Sequence, residues 1–145
     1  MRIVDANVLL YAVDAQARNH EIAQPWLDST LAEAEPVGFA WTVMLAFLRL
    51  STHPSVFPSP LEVAEATAVL EMWLAQPAAV LVEPTQRHIE ILRGLVEAVG
   101  TAGNMVNDAH LAALAVEHGA EVVSFDRDFG RFPGLRWRAP AAGLT

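Results

Sequence analysis

Short apolar runs alternate along this chain with longer stretches in which apolar residues recur every three or four positions. The apolar runs predict buried strands at Ile3–Val4, Val37–Ala40, Ala78–Val82 and Glu121–Ser124, with a short fifth strand at Leu135–Arg138. The periodic stretches predict helices at Asn7–Ala12, around Ile22–Leu31, at Trp41–Ser51 and Leu61–Ala75, from Thr85 to Val99, and from a turn at Gly103–Asp108 through His118. This alternation is typical of a three-layer α/β/α sandwich with a central parallel sheet of four to five strands. No shift in composition marks a boundary, so we expect one domain over residues 1–145.

Three details of the pattern carry expectations of their own. The stretch Trp41–Ser51 is apolar almost all round, which predicts a buried helix rather than a surface one. The tryptophans at positions 41, 73 and 137 are expected in the core or in an interface. His110 and His118 are eight residues apart, which is not the spacing of a metal-binding pair, and we expect both at a helix surface or cap.

Composition excludes several classes of protein. The chain has no cysteine and no lysine, which excludes disulfide frameworks, thiolate zinc sites, cysteine nucleophiles, P-loop lysines and Schiff-base chemistry. Its 17 acidic residues outnumber 9 arginines, and the net charge of −8 argues against broad binding to nucleic acid. The apolar stretches are too short to cross a bilayer, and a carboxylate at position 5 does not suit a signal peptide. We therefore expect a cytoplasmic protein with no membrane partner.

Four aspartates lie where a parallel sheet binds its ligands. Asp5 ends the first strand, Asp126 follows the fourth with Asp128 two residues on, and Asp108 opens the helix before that strand. Carboxylates that converge on one cleft repel one another, which raises their pKa values or favours a divalent cation. Oxygen ligands of this kind suit Mg²⁺ or Mn²⁺.

Each aspartate also has an ordinary structural interpretation. Asp108 is placed to face the dipole at a helix N-terminus, and Asp126 and Asp128 are common turn formers. Asp5 is harder to explain in this way, because a buried strand end gives a charge little reason to be there.

The order and spacing of these residues resemble the PIN-domain ribonucleases. Val4-Asp5-Ala6-Asn7 resembles the opening motif of that family, Asn107-Asp108-Ala109-His110 its third acidic motif, and Ser124-Phe125-Asp126-Arg127-Asp128-Phe129 its fourth. The match covers nearly the whole chain in the correct order. Chain length and the ending Phe129-Gly130-Arg131-Phe132 are most similar to the VapC toxins of bacterial toxin–antitoxin pairs.

The resemblance implies metal-dependent hydrolysis of phosphodiester bonds in RNA, with tRNA or ribosomal RNA as substrate. Asp5 and Asp108 would be the main ligands of Mg²⁺ or Mn²⁺, and Asp126 a direct or water-mediated ligand. Asn7 would orient Asp5 or a metal-bound water, unless it simply caps the helix after the strand, and Asp128 would support the site from outside. The resemblance also implies a cognate VapB-like antitoxin and a homodimer, for which the apolar faces of Ile22–Leu31 and Trp41–Phe57 offer surfaces.

One family feature is missing. PIN domains carry a further acid, usually Glu, on the helix after the second strand, but this chain has no acid from Pro36 to Leu61. The corresponding position falls near Met44, and Thr42, Arg49 and His53 are the polar residues nearby. Fewer carboxylates should weaken metal binding and favour one metal ion over two. A PIN-like module that binds RNA or protein with little catalysis is therefore the alternative function, ahead of a phosphatase or a dinucleotide-binding enzyme.

RNA would need a local cationic surface on this acidic chain. Arg127, Arg131, Arg136 and Arg138 lie close in sequence to Asp126, and arginine suits bidentate contacts with phosphate. We take Arg127 and Arg131 as the candidate RNA-binding residues. Ordinary pairing of these arginines with surface acids remains the other interpretation.

Overall fold

A computed structural model describes residues 1–100 and 103–141, and this part of the chain contains one five-stranded sheet. The strands are β1 Arg2–Val4, β2 Val37–Ala40, β3 Ala79–Val82, β4 Glu121–Val123 and β5 Trp137–Arg138. All neighbouring strands are parallel, and their order is β3-β2-β1-β4-β5. The predicted three-layer α/β/α fold with a central parallel sheet is confirmed.

Helices connect the strands in the described residues. They are α1 Ala6–Val13, α2 His20–Leu31, α3 Trp41–Ser51, α4 Val63–Leu74, α5 His88–Val99 and α6 Val106–Glu117, with short 3₁₀ turns at Gly103–Met105 and Arg127–Arg131. α1 packs against α2 and α3, α3 packs against α4, and α5 packs against α6. No helix in residues 1–100 or 103–141 is long and apolar enough to cross a membrane.

Apolar strand residues form the centre of the core. Ile3, Val4, Phe39 and Val122 are completely buried, as a sheet covered on both faces requires. At Gly38 a Cβ atom would lie 2.6 Å from the Val82 side chain and 2.9 Å from that of Ile3. Only glycine therefore fits at this position of β2, between the side chains of the two neighbouring strands.

The predicted elements agree closely with the structure, with one correction on α3. The strand Val37–Ala40 and the helix Trp41–Ser51 have the predicted bounds. The prediction that this helix is buried all round is wrong, because Trp41 is 52% exposed and Leu45 57% exposed. Trp73, by contrast, is buried and packs edge-on against Phe47. One face of α3 is thus open, although its sequence is apolar.

The strand order determines where the candidate site lies. β1 is the central strand, with β2 on one side and β4 on the other, so the chain leaves these strands at one edge of the sheet. Connections turn in opposite directions on the two sides of β1, which is where open parallel sheets form a crevice. Asp5, the start of α3 and Ser124 all follow directly after these strands.

Candidate active site

Asp5 lies at the end of β1 and caps the helix that follows. Its backbone is extended, and its Oδ1 accepts a hydrogen bond of 2.8 Å from the Ala6 amide. Its other oxygen, Oδ2, accepts 2.7 Å from the Ser124 hydroxyl. Burial raises the pKa of Asp5, these two hydrogen bonds partly offset the rise, and the nearby Asp126 charge adds to it. Asp5 is therefore a partly buried carboxyl in a fixed orientation, and its burial makes it harder to ionise.

Asn7 links the end of β1 to the end of β4. Its amide nitrogen donates to Ser124 Oγ at 3.1 Å and more weakly to Asp5 Oδ2 at 3.4 Å. Its amide oxygen accepts from the Phe125 backbone N–H at 3.2 Å. The cap of α1 is Asp5 and not Asn7. Of the two interpretations from sequence, the geometry matches the one in which Asn7 orients Asp5.

Ser124 is the residue of this network that sequence reasoning missed. It is completely buried, its hydroxyl donates to Asp5, and its oxygen accepts from the Asp126 backbone N–H at 3.0 Å. The sequence does contain a signal for it, since a hydroxyl residue stands between the apolar residues of β4 and Asp126. Ser124 connects two of the acidic motifs through a single atom.

Asp108 lies in the first turn of α6 and shares a cavity of about 460 Å³ with Asp5. Its burial, followed by the negative charges of Asp5, Asp126 and Asp128, raises the pKa of Asp108 to about 6. No protein donor in the described residues bonds to its carboxyl oxygens. This carboxyl thus carries a desolvation cost that nothing in the described chain offsets.

Asp126 and Asp128 lie beside the cavity rather than in its lining. Asp126 begins the 3₁₀ turn Arg127–Arg131, and its Oδ1 accepts 2.9 Å from the Asp128 backbone N–H. Asp128 is exposed. The turn-forming interpretation therefore describes the local geometry of both, while their charges still act on Asp108.

The α3 wall of the cavity carries no acid. Thr42, Leu45, Ala46 and Arg49 line it, at the spacing of one helix face. The sequence places the missing acid near Met44, within Val43–Ala46. Met44 itself is 1% exposed and packs in the core, whereas Val43, Leu45 and Ala46 beside it line the cavity. The α3 residues that line the cavity together with Asp5 and Asp108 are Thr42, Val43, Leu45, Ala46 and Arg49.

The arginines after β4 divide into two groups. Arg136 donates to the Gly119 carbonyl at 2.7 Å, and Arg138 pairs with Glu121 at 2.7 Å. Both contacts involve residues at or just before the start of β4, at the sheet edge opposite Asp5. Arg127 and Arg131 lie exposed on the 3₁₀ turn after Asp126, and among the described residues they form no ion pair. Arg127 and Arg131, the candidate RNA-binding residues from the sequence, are therefore the two arginines of this segment that are not occupied by an ion pair or a carbonyl in the described part of the chain.

The donor set suits a weakly held hard cation. Within the described part of the chain, no group of three or more His, Asp or Glu side chains is arranged to hold a metal ion. The cavity nevertheless brings together the carboxyls of Asp5 and Asp108, and Asn107 also lines it. Mg²⁺ commonly binds through one or two carboxylates, with water and substrate phosphate completing its shell. The residues present fit a divalent ion of this kind.

A second polar cluster joins α5 to α6 away from the cavity. Glu117, whose side chain is 1% exposed, accepts from the Thr85 amide and hydroxyl, each at 2.7 Å, and pairs with His88. The other ring nitrogen of His88 contacts His110 Nδ1 at 2.9 Å. The expectation of a surface position for His110 is wrong, because its ring packs edge-on against that of His88 and is only partly exposed; His118 does cap α6.

Comparison with known proteins identifies this arrangement. The PIN domain family model matches residues 2–135. The chain is 56% identical over 144 residues to Ribonuclease VapC37 of Mycobacterium tuberculosis, covering 99% of this chain and 100% of that protein.

Solved structures share the fold at low sequence identity. VapBC2 from Rickettsia felis, bound to a DNA fragment from its promoter, gives a TM-score of 0.71 at 17% identity and covers 97% of this chain and 98% of that chain. Mycobacterium tuberculosis VapC20, a toxin that cleaves the sarcin-ricin loop, gives 0.68 at 17% identity and covers 94% and 99%. The chain thus belongs to the PIN-domain family and, within it, to the VapC ribonucleases.

Proposed function

We propose that this protein is an endoribonuclease toxin that hydrolyses phosphodiester bonds in RNA and is neutralised by a cognate antitoxin. The observation that carries this proposal is the pair of partly buried carboxyls, Asp5 and Asp108, in one cavity of a chain so similar to Ribonuclease VapC37. PIN-domain ribonucleases generally depend on a divalent metal ion. For this chain we propose Mg²⁺ or Mn²⁺, since the donors are hard oxygens.

We assign Asp5 and Asp108 as the main metal ligands and Asp126 as a direct or water-mediated one. The raised pKa values of Asp5 and Asp108 support this assignment, because a bound cation relieves both burial and repulsion. A divalent ion at this position would polarise the phosphate and lower the pKa of a bound water. Asp128 adds negative charge from outside the cavity.

The residues around Asp5 prepare it for this role. Ser124 and Asn7 hold Oδ2, while the Ala6 amide holds Oδ1, so the carboxyl keeps one orientation before any ligand arrives. Partners of this kind typically change metal affinity or activity by 10- to 100-fold when they are removed. Asn7 and Ser124 are thus positioning residues for Asp5.

The antitoxin would cover the cavity and its surroundings. Several solved relatives of the same fold are VapBC complexes. On this chain, the exposed apolar Leu45 on the cavity wall and Met72 on α4 offer contact area, and the acids would attract an arginine from the partner. Co-expression with the small protein encoded beside it should yield a complex that copurifies; recovery of this chain alone would contradict the proposal.

The RNA substrate can be identified directly. Total RNA is incubated with the wild-type protein or with Asp5→Asn, in Mg²⁺, Mn²⁺ or EDTA, and the new 5′ ends are sequenced. We expect discrete ends in tRNA or ribosomal RNA that need both the metal and Asp5. Ends that are equally abundant with Asp5→Asn would overturn the proposed function.

A second candidate is a PIN-like module that binds RNA or protein with little catalysis. The acid-free α3 wall favours it, because the described residues supply few ligands for a metal. Calorimetry separates the two functions. Binding of RNA without any uptake of Mg²⁺ or Mn²⁺ would favour the module.

A further inference from the structure

The α3 wall of the cavity presents a cation where the rest of the site presents acids. Thr42, Leu45 and Arg49 are spaced by three and four residues and face the cavity together. Among the described residues that line this cavity, Arg49 is the one with a positive charge, and Asp5 and Asp108 are the two with negative charges. The cavity therefore has an acidic side and a basic side.

The Arg49 side chain is not used by the protein itself. Arg2, Arg136 and Arg138 all pair with carboxylates or carbonyls. In residues 1–100 and 103–141, Arg49 forms no ion pair within 4.0 Å, and its guanidinium makes no hydrogen bond to protein. The residue is exposed. Its five N–H donors are thus free to bind an anion at the cavity.

The position of Arg49 selects the kind of ligand. A second divalent cation against α3 would meet a guanidinium and no carboxylate, so the charge there disfavours it. A phosphate diester is the complementary group, since the acidic side can bind it through a metal ion and arginine can bind its free oxygens directly. Guanidinium geometry matches two phosphate oxygens at once.

We propose that Arg49 binds the scissile phosphate of RNA and supplies, from α3, positive charge that opposes the negative charge developing on the phosphate during cleavage. The proposal rests on the proposed ribonuclease function and adds a substrate-binding residue to it. It also gives the acid-free α3 wall a role in binding RNA.

Variants at two exposed arginines test this. A 5′-fluorescent RNA of about 20 nucleotides, spanning a site mapped in total RNA, is cleaved by wild type, Arg49→Gln, Arg49→Lys and the control Arg93→Gln on α5. We expect kcat/KM to fall about 10- to 100-fold for Arg49→Gln and less for Arg49→Lys, which keeps the charge but loses the bidentate geometry. Arg93 is exposed and does not line the cavity, so Arg93→Gln should stay within about twofold of wild type.

A binding measurement separates phosphate contact from a structural effect. In an Asp108→Asn background without metal, fluorescence anisotropy gives the affinity for the same RNA at several salt concentrations. Removing one phosphate contact should lower the slope of log affinity against log salt by about 0.7 for Arg49→Gln. The melting temperature should not change, because the guanidinium forms no ion pair with another described residue.

The outcomes distinguish this proposal from the function on which it rests. If Asp5→Asn cleaves as well as wild type, the proposed ribonuclease site itself is wrong. If Asp5→Asn is inactive while Arg49→Gln matches Arg93→Gln in kcat/KM and in salt slope, the function stands and the role of Arg49 is wrong.

Discussion

Helix α6 carries a buried or half-buried carboxyl in its first turn and another in its last, and their surroundings are opposite. Asp108, in the first turn, has a carboxyl that no described donor contacts, and burial with neighbouring charges raises its pKa to about 6. Glu117, in the last turn, is also buried, which opposes its charge. Hydrogen bonds from Thr85 and His88 outweigh this effect and lower the pKa of Glu117.

This difference separates Glu117, an acid that stabilises the fold, from Asp108, an acid placed to bind a ligand. Glu117 has its hydrogen bonds supplied by α5 and by the loop before it, so its charge is stabilised in the protein alone. Asp108 lies in a cavity opposite Asp5, and its charge is stabilised when something cationic enters. The same residue chemistry on one helix therefore predicts a structural role at one end and a functional role at the other.

Among these variants, Asp108→Asn should cause the largest loss of activity. We expect cleavage of RNA to fall about a thousand-fold, since a lost metal ligand removes several kcal/mol of transition-state stabilisation. Single-turnover cleavage of a mapped RNA measures this. The folded protein should be unharmed, so a loss of activity accompanied by unfolding would contradict the assignment.

Ser124→Ala should weaken the same site through Asp5. Its hydroxyl holds Asp5 Oδ2, and without it we expect a 10- to 100-fold loss of metal affinity or activity. Ser51→Ala is the matched control, because Ser51 is equally buried and its hydroxyl has no hydrogen-bond partner. Calorimetric metal affinity and cleavage rates compare the two; equal effects would refute a special role for Ser124.

Glu117→Gln should lower the stability of the fold without affecting the cavity. Replacing the carboxylate leaves Thr85 and His88 without their charged acceptor, at a cost of about 1–3 kcal/mol in the free energy of unfolding. Urea unfolding measures this, with the exposed Glu97→Gln on α5 as the control. Cleavage per folded molecule should remain at the wild-type level. A large loss of activity without loss of stability would reverse the comparison.

The pH dependence of stability should differ between the two ends. Asp108 binds its proton more tightly in the fold, so its contribution to the stability of the metal-free wild type falls as pH rises from 3.8 through about 6. The free energy of unfolding of Asp108→Asn should therefore rise relative to that of wild type across this pH range, by about 1 kcal/mol after allowance for solvent screening. Urea unfolding of both proteins at a series of pH values measures the gain, and a constant difference would contradict the raised pKa.

The contribution of Glu117 to stability should change with pH in the opposite direction. Its lowered pKa contributes stability that is complete above 4.5 and is lost as the pH falls through the folded value. The cost of Glu117→Gln should thus be constant from about pH 5 to 7 and shrink in stronger acid. A cost that instead grows in acid would contradict this interpretation.

Sequence reasoning could find the acids of the site because strand ends in a parallel sheet lie at one edge. Asp5 and Asp126 follow predicted strands directly, and Asp108 opens a predicted helix, so the topology alone brings them near one another. Ser124 was missed because its role depends on the direction of one hydroxyl, which periodicity does not encode.

The two errors on helices have a related cause. An apolar sequence indicates that α3 can be buried, but whether Leu45 is covered depends on what packs beside the helix. The surface position expected for His110 failed because its partner, His88, comes from another helix, α5. Contacts between distant parts of the chain decide such positions.

Calorimetric titration of Mn²⁺ into the metal-free protein shows whether Asp108, the α6 carboxyl that no described donor contacts, holds a divalent ion together with Asp5. We expect wild type and Glu117→Gln to bind Mn²⁺ with the same affinity, while Asp108→Asn and Asp5→Asn bind at least about 10-fold more weakly. Unchanged Mn²⁺ affinity in Asp108→Asn would contradict it.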